Sequence, residues 1–148
     1  MDQFFYRQEE RTDDLIRLTG EDAAHIGRVL RLRPGDSLRL SDGEEHDSKG
    51  IIEEITKSEV TVRVTEDGLP SHEPAVEVTL FQGLPKSDKL EWIIQKNTEL
   101  GAARIVPVRM KYSIPQPDEK KNAAKTARRR AIARAAAAQS KRSRIPEV

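Results

Sequence analysis

The 148-residue chain contains no cysteine. That excludes a disulfide scaffold, a cysteine-ligated zinc ribbon and thiol catalysis. Aromatic residues are only 4% of the sequence, so a core must be built from Leu, Ile, Val and Ala. No apolar run approaches the roughly 18 residues of a membrane span, and the N-terminus lacks the apolar stretch of a secretory signal. There is no Gly-x-Gly-x-x-Gly, no P-loop and no nucleophile elbow. The three histidines, His25, His46 and His72, lack metal-ligand spacing and read as ordinary surface or helix histidines. Glu44-Glu45 and Glu53-Glu54 sit in turn and strand contexts and read as solvated charge. No acid–base pair, catalytic residue or metal site is therefore nominated. The expectation is a soluble, cytoplasmic chain of one ordinary domain or two small ones.

What is present is a charge asymmetry. The net charge of +1 hides two opposite halves: residues 1–72 carry 10 Lys+Arg against 17 Asp+Glu, and residues 73–148 carry 16 against 8. Two modules are implied, one of which meets a polyanion; a solvated basic helix with no partner is the competing reading. Within the acidic half, Arg28, Arg31, Arg33 and Arg39 cluster around one turn. In the basic half, Lys120, Lys121, Lys125, Arg128, Arg129, Arg130 and Arg134 spread over a helix, and an arginine-rich loop follows at 139–144. Arginine beside Ser and Gln suits phosphate and sugar contacts.

Hydrophobic periodicity gives the organisation. A strand is expected at Phe4–Tyr6, then a capping box at Thr19-Gly20-Glu21-Asp22 and a short helix to about Arg28. Pro34-Gly35-Asp36 is a turn, Leu38 and Leu40 alternate as a strand, and Ile51–Ile55 and Val60–Val64 form two more around a turn at Lys57-Ser58. Short strands at close intervals indicate a small β-barrel or sandwich. The boundaries fall at 1–67 for this module, 68–75 for a Pro- and Gly-containing linker, and 76–148 for the second module. There, Val76, Val78, Leu80 and Phe81 predict a strand, Ser87 is an N-cap candidate, and Lys89–Leu100 predicts a helix closed by Gly101. Ile105, Val106 and Val108 predict a strand, and Asp118 opens a helix to about Gln139. This order opens a parallel α/β sheet. Its second helix offers mainly alanines and one large apolar residue, Ile132, so it buries little area. Two strands and two helices fall short of a whole α/β domain, and a third strand is expected to start near Ile145-Pro146.

The stretch Leu84-Pro85-Lys86-Ser87-Asp88-Lys89-Leu90-Glu91-Trp92-Ile93-Ile94-Gln95-Lys96-Asn97-Thr98-Glu99-Leu100-Gly101 resembles the signature of the RsmE family. These are bacterial 16S rRNA (uracil-N3)-methyltransferases of the SPOUT class. Arg104–Val108 is similar to the family's next segment. Gln139-Ser140 with Arg142 and Ile145-Pro146 resembles the family's Gln-Ser-x-Arg loop. Phe4-Phe5, His25, Val29-Leu30-Arg31 and Gly35-Asp36 resemble its N-terminal barrel. The chain departs from the family pattern in its last helix, with Arg129 in place of a Trp and Ala135 and Ala138 in place of two glutamates.

The resemblance implies an α+β chain: a PUA-like, RNA-binding β-barrel followed by the first half of an α/β SPOUT domain. It implies S-adenosylmethionine as cofactor, 16S rRNA or the small ribosomal subunit as partner, and no membrane. It also implies a homodimer whose interface, like most of the cofactor site, comes from a C-terminal knot that this sequence lacks. The chain by itself is then expected to be inactive; a non-catalytic RNA-binding remnant is the alternative. RNA contacts are assigned to Arg7, Arg28 and Arg31 in the barrel, and to Lys86, Arg109, Arg142 and Arg144 in the second module. Gly83 and Leu84 are assigned to one wall of the cofactor site. Methylating a ring nitrogen requires its proton to leave, so the site must favour the anion by charge and orientation.

Overall fold

A computed structural model describes residues 1–86, 88–111 and 119–148, without the side chains of residues 119–122. The expected cap at Ser87 and the helix start at Asp118 lie outside the described residues. The chain divides into two compact units, Met1–Ser71 and His72–Val148.

The first unit is a six-stranded sheet in the order β1-β4-β5-β6-β3-β2. Its strands are β1 (Gln3–Phe5), β2 (Arg11–Thr12), β3 (Leu15–Thr19), β4 (Ser37–Ser41), β5 (Asp47–Ile55) and β6 (Glu59–Leu69). All pairs are antiparallel except β1 with β4. The two edge strands, β1 and β2, are consecutive in the chain and joined by five residues, so the sheet must curl until its edges approach. Alternate residues point inward: Ile16 and Leu18, Leu38 and Leu40, and Val60 and Val62 are all buried, with Ile52 and Ile26 completing the core. At Gly50 a Cβ would lie 2.6 Å from Val62 Cγ1 and 2.9 Å from the Arg63 carbonyl, so only glycine lets β5 and β6 pack this closely.

Several expectations for this unit need correction. The strand pair β2–β3 was not expected, because Leu15-Ile16-Arg17-Leu18 is too short and too apolar to show clear alternation. Thr19 does precede α1 (Gly20–Ala24), but its side chain makes no capping bond; it ends β3 with extended backbone. Glu10 instead accepts the Arg7 backbone N–H at 2.8 Å, at the start of the short helical turn Gln8–Glu10. The helix does not stop at Arg28: it widens into a π-helical turn, His25–Leu30, and closes at Arg31 with a left-handed φ of 56°. The strand expected at Ile51 starts four residues earlier, at Asp47, and β6 runs on to Leu69, past the expected boundary at 67. Those extensions are polar in sequence. They are held by a buried ion pair, with Arg39 Nη2 2.6 Å from Asp47 Oδ2, and by Ser48 donating to Asp67.

The second unit carries β7 (Thr79–Gly83), α2 (Lys89–Glu99), β8 (Arg104–Val108) and α3 (Glu119–Gln139). Strands β7 and β8 pair in parallel, as the strand–helix–strand order requires. Val76 and Val78 are exposed and precede the strand rather than forming it. A parallel bridge between Arg104 and Glu147 lies where a third strand is expected to start. Helix α2 ends in a Schellman turn: the Ala102 N–H donates to Asn97 O (2.9 Å) and the Gly101 N–H to Thr98 O (3.1 Å), with Gly101 at φ +98°. A Cβ there would come within 2.5 Å of Pro74. Helix α3 ends the same way on a non-glycine residue, with Lys141 at φ 61° and the Arg142 N–H donating to Ala137 O at 2.9 Å. The core here is small: Leu90, Ile94 and Ile105 with Ala102 and Ala133.

Candidate nucleic-acid interface

In an acidic module, which cations remain available matters more than how many there are. Arg7 pairs with Glu9 and Glu10, Arg11 with Asp67, Arg39 with Asp47, and Arg63 with Asp14 and Glu53. The Asp67 carboxylate accepts from both arms of the Arg11 guanidinium and from Ser48, which holds it below the usual aspartate range and raises the Arg11 guanidinium further. Arg17 on β3 and Arg28, Arg31 and Arg33 differ: each is exposed, and none of their guanidinium groups has a carboxylate partner among the described residues. The π turn presents the last three. Ile26 is buried beneath it, and the Leu32 N–H donates to Ile26 O at 3.1 Å, so the chain reverses with its arginines outward. His25 lies edge-on to Phe4 with ring centroids 6.1 Å apart, which anchors the start of the turn.

The second unit offers a different surface. The ladder of β7 and β8 continues to the Leu84 N–H, which donates to Val108 O at 3.0 Å. Beyond it the chain ends diverge into exposed Lys86 and exposed Arg109, neither with an acidic partner among the described residues. Cations at the carboxyl ends of parallel strands occupy the usual ligand position of an open α/β sheet. Gly83 and Leu84 sit at the same edge. A Cβ on Gly83 would lie 3.2 Å from Met110 Cγ, so the Met110 side chain packs against this strand end. Among the described residues Gly83 and Leu84 offer one edge to a cofactor. A groove of about 820 Å³ lies elsewhere, between α2 and α3, lined by Trp92, Gln95, Ile132 and Ala135 among others.

Arg142, expected to contact RNA, has its side chain inside the second unit. It is buried, and its guanidinium is spent within the protein: it pairs with Glu73 and donates to Thr98 O (3.1 Å) and Ala102 O (2.7 Å). The second Schellman turn aims it there, onto the carbonyl end of α2, where a cation suits the helix dipole. Glu73 in turn accepts the backbone N–H groups of Ser143 (3.0 Å) and Arg144 (3.1 Å). The end of the segment read as a linker, 68–75, is therefore held at Glu73 and Pro74. No sequence signal marks Glu73 as the partner, because the pair spans 69 residues. Arg144 lies at the surface and pairs with Glu77 at 2.5 Å. Along α3, Arg128 pairs with Glu91 at 2.8 Å and Arg130 donates to the Val148 carbonyl at 3.0 Å, so part of the basic helix is also committed internally.

Comparison with known proteins agrees with both units. Residues 72–148 match the RNA methyltransferase domain family, and residues 18–65 match the RNA methyltransferase PUA domain. The chain belongs to the RsmE family of RNA methyltransferases. It is 38% identical over 142 residues to ribosomal RNA small subunit methyltransferase E of Bacillus subtilis, an alignment covering 96% of this chain and 56% of that protein. It is 33% identical to the protein of the same name from Mycobacterium bovis, covering 87% of this chain and 49% of the relative. A crystal structure of the Neisseria gonorrhoeae RsmE bound to S-adenosylmethionine superimposes with a TM-score of 0.90 at 26% identity, covering 100% of this chain and 61% of that one. The chain thus spans about half the length of the curated relatives it matches. S-adenosylmethionine is the cofactor of the RsmE family, and no helix among the described residues is long and apolar enough to cross a membrane.

Proposed function

We propose that the chain is the RNA-docking part of a cytoplasmic, S-adenosylmethionine-dependent methyltransferase acting on N3 of a uridine in 16S rRNA. The observation that carries this is a clustering within the barrel: Arg7, Arg11, Arg39 and Arg63 are each held by carboxylates, while three of the four arginines unpaired among the described residues, Arg28, Arg31 and Arg33, gather at one turn and only Arg17 lies apart on β3. Unpaired guanidinium groups on a rigid turn suit phosphates, which they bind with bidentate geometry and counterion release. Lys86 and Arg109 add positive charge beside the cofactor wall at Gly83 and Leu84. Cations at that edge hold an RNA backbone and favour loss of the uridine N3 proton by stabilising the anion. The bound cofactor supplies an electrophilic methyl group. Because Gly83 and Leu84 supply one wall among the described residues, the 148 residues alone are expected to bind S-adenosylmethionine weakly in a calorimetric titration, and micromolar binding would contradict this one-wall reading.

Anisotropy titration of a labelled small-subunit RNA hairpin tests the docking surface. Arg28→Ala with Arg31→Ala should weaken binding at low salt about tenfold or more and reduce the log–log salt slope by roughly two. An unchanged slope would remove the barrel from the interface. A second reading, a non-catalytic RNA-binding protein, is favoured by Ala135, which lines the α2–α3 groove where the family sequence has a glutamate. Methyl transfer by this chain joined to a family C-terminal half separates the two.

A further inference from the structure

Trp92 is the only tryptophan of the chain, and it is 63% exposed. It stands in the first turn of α2, where Asp88, Trp92, Gln95 and Glu99 recur at the spacing of one helix face. Helix α3 faces this stripe with Ile132, Ala135 and Gln139 at the matching spacing, and the two stripes are the walls of the α2–α3 groove. Ala135 and Ala136 are too short to cover the indole. The end of the groove that holds Trp92 is cationic. Arg128 reaches Glu91 at 2.8 Å, which sets the early turns of α3 beside those of α2. Lys86 precedes α2, Lys89 opens it, and Lys125 lies one turn before Arg128 on α3. Each of these lysines is exposed and has no acidic partner among the described residues. At the other end of the stripe charge is balanced within α2, because Lys96 pairs with Glu99 at 2.8 Å.

We propose that Trp92 is a stacking platform for an unpaired base of the RNA, which enters the α2–α3 groove while its flanking phosphates lie at Lys86, Lys89 and Lys125. The inference rests on the RNA-docking reading and adds to it a site for single-stranded RNA in the second unit. The chemistry of a nucleotide matches the groove part by part. The indole offers a π face to a base of any identity. The side-chain amides of Gln95 and Gln139 each carry a donor and an acceptor for the base edge. Asp88, the carboxylate of the stripe without a partner among the described residues, accepts from a base amino group. The lysines attract the phosphates, so the backbone stays at the cationic end. A paired base is already stacked on its neighbours and cannot enter, so the site selects loops, bulges and single strands.

With a single indole in the chain, tryptophan fluorescence reads the site directly. A single-stranded RNA of about ten nucleotides should quench Trp92 emission of the 148-residue chain, and a fully paired duplex of the same sequence should quench it little. In anisotropy titrations of the labelled single strand, Trp92→Ala should weaken binding about 5- to 50-fold and leave the log–log salt slope unchanged, because no charge is lost. Trp92→Phe should restore most of the affinity. Lys89→Ala should instead reduce the slope by about one and keep the quenching. Equal quenching by duplex and single strand overturns the proposal. If Trp92→Ala binds normally while Arg28→Ala with Arg31→Ala does not, the stacking site is overturned with the docking reading intact; if both variants bind normally, both are overturned. Quenching by an arginine-rich peptide but not by RNA overturns the proposal in favour of a protein partner, and quenching by S-adenosylmethionine but not by RNA overturns it in favour of the cofactor. Thermal melting of Trp92→Ala and Trp92→Phe at the temperature of the parent chain shows that lost binding is not lost fold.

Discussion

The barrel buries its large apolar residues in its own core, whereas the α/β unit leaves many of its own outside. In the barrel, Ile16, Leu18, Leu38, Leu40, Ile52, Val60 and Val62 are sealed, and of its large apolar side chains only Met1, Val29 and Ile51 are notably exposed. In the second unit Val76, Val78, Phe81, Trp92, Leu100 and Met110 are exposed, while three large aliphatic residues form most of the core. The two also handle charge differently. The barrel pairs Arg7, Arg11 and Arg63 at the surface, where pairs are worth at most about 1 kcal/mol each, and leaves Arg17 and the three arginines of one turn without a carboxylate partner among the described residues. The α/β unit places its strongest pair, Arg142 with Glu73, inside. The barrel has one buried pair as well, Arg39 with Asp47, but its apolar core is large; a two-stranded sheet with an alanine-rich helix relies more on a polar clasp to fix its chain ends.

Substitutions sharpen this contrast, and the largest effect belongs to the clasp. Arg142→Ala should cost the second unit about 3–5 kcal/mol in denaturant unfolding followed by amide exchange, because Glu73 would remain buried without its partner. The barrel amides should keep their protection. Next, Ile16→Ala should destabilise the barrel by about 2–5 kcal/mol, measured the same way. Gly50→Ala should cost about 1–3 kcal/mol, since Val62 and the Arg63 carbonyl must move to admit the methyl. The Asp67–Arg11 pair gives a smaller and pH-dependent effect. Asp67 titrates below its ordinary range in the folded state, so its contribution is present above the unfolded aspartate value and is lost as pH falls through the folded one. With Asp67 half exposed, Asp67→Asn should remove no more than about 1 kcal/mol, and should flatten the acid limb of the stability curve at and below the usual aspartate range. Least affected should be Phe81→Ser and Trp92→Ser, each within about 0.5 kcal/mol, because neither side chain is buried. A large loss from either would mean that the second unit packs more tightly than its surface suggests.

Legibility in the sequence followed the same division. Strands with regular alternation, such as Leu38 and Leu40 or Val60 and Val62, could be read directly, as could α2 and its glycine stop. Asp47 and Ser48 could not, because a buried ion pair makes a strand look like a turn. Neither could the π turn, whose local pattern is that of an ordinary helix. At the interface, the cluster Arg28, Arg31 and Arg33 was visible in sequence, but Arg39 beside them is a barrel residue tied to Asp47. Arg142 carried the right residue type in a family-like loop, and only its partner 69 residues away shows that it holds the fold.

The account turns on which arginines are free, and chemical-shift mapping on side-chain-labelled arginine asks that directly. On adding an RNA hairpin to the 148-residue chain, the guanidinium signals of Arg28, Arg31, Arg33 and Arg109 should shift, while those of Arg39 and Arg142 stay in place. Shifts confined to Arg128–Arg130 on α3, with the barrel arginines unmoved, would contradict it.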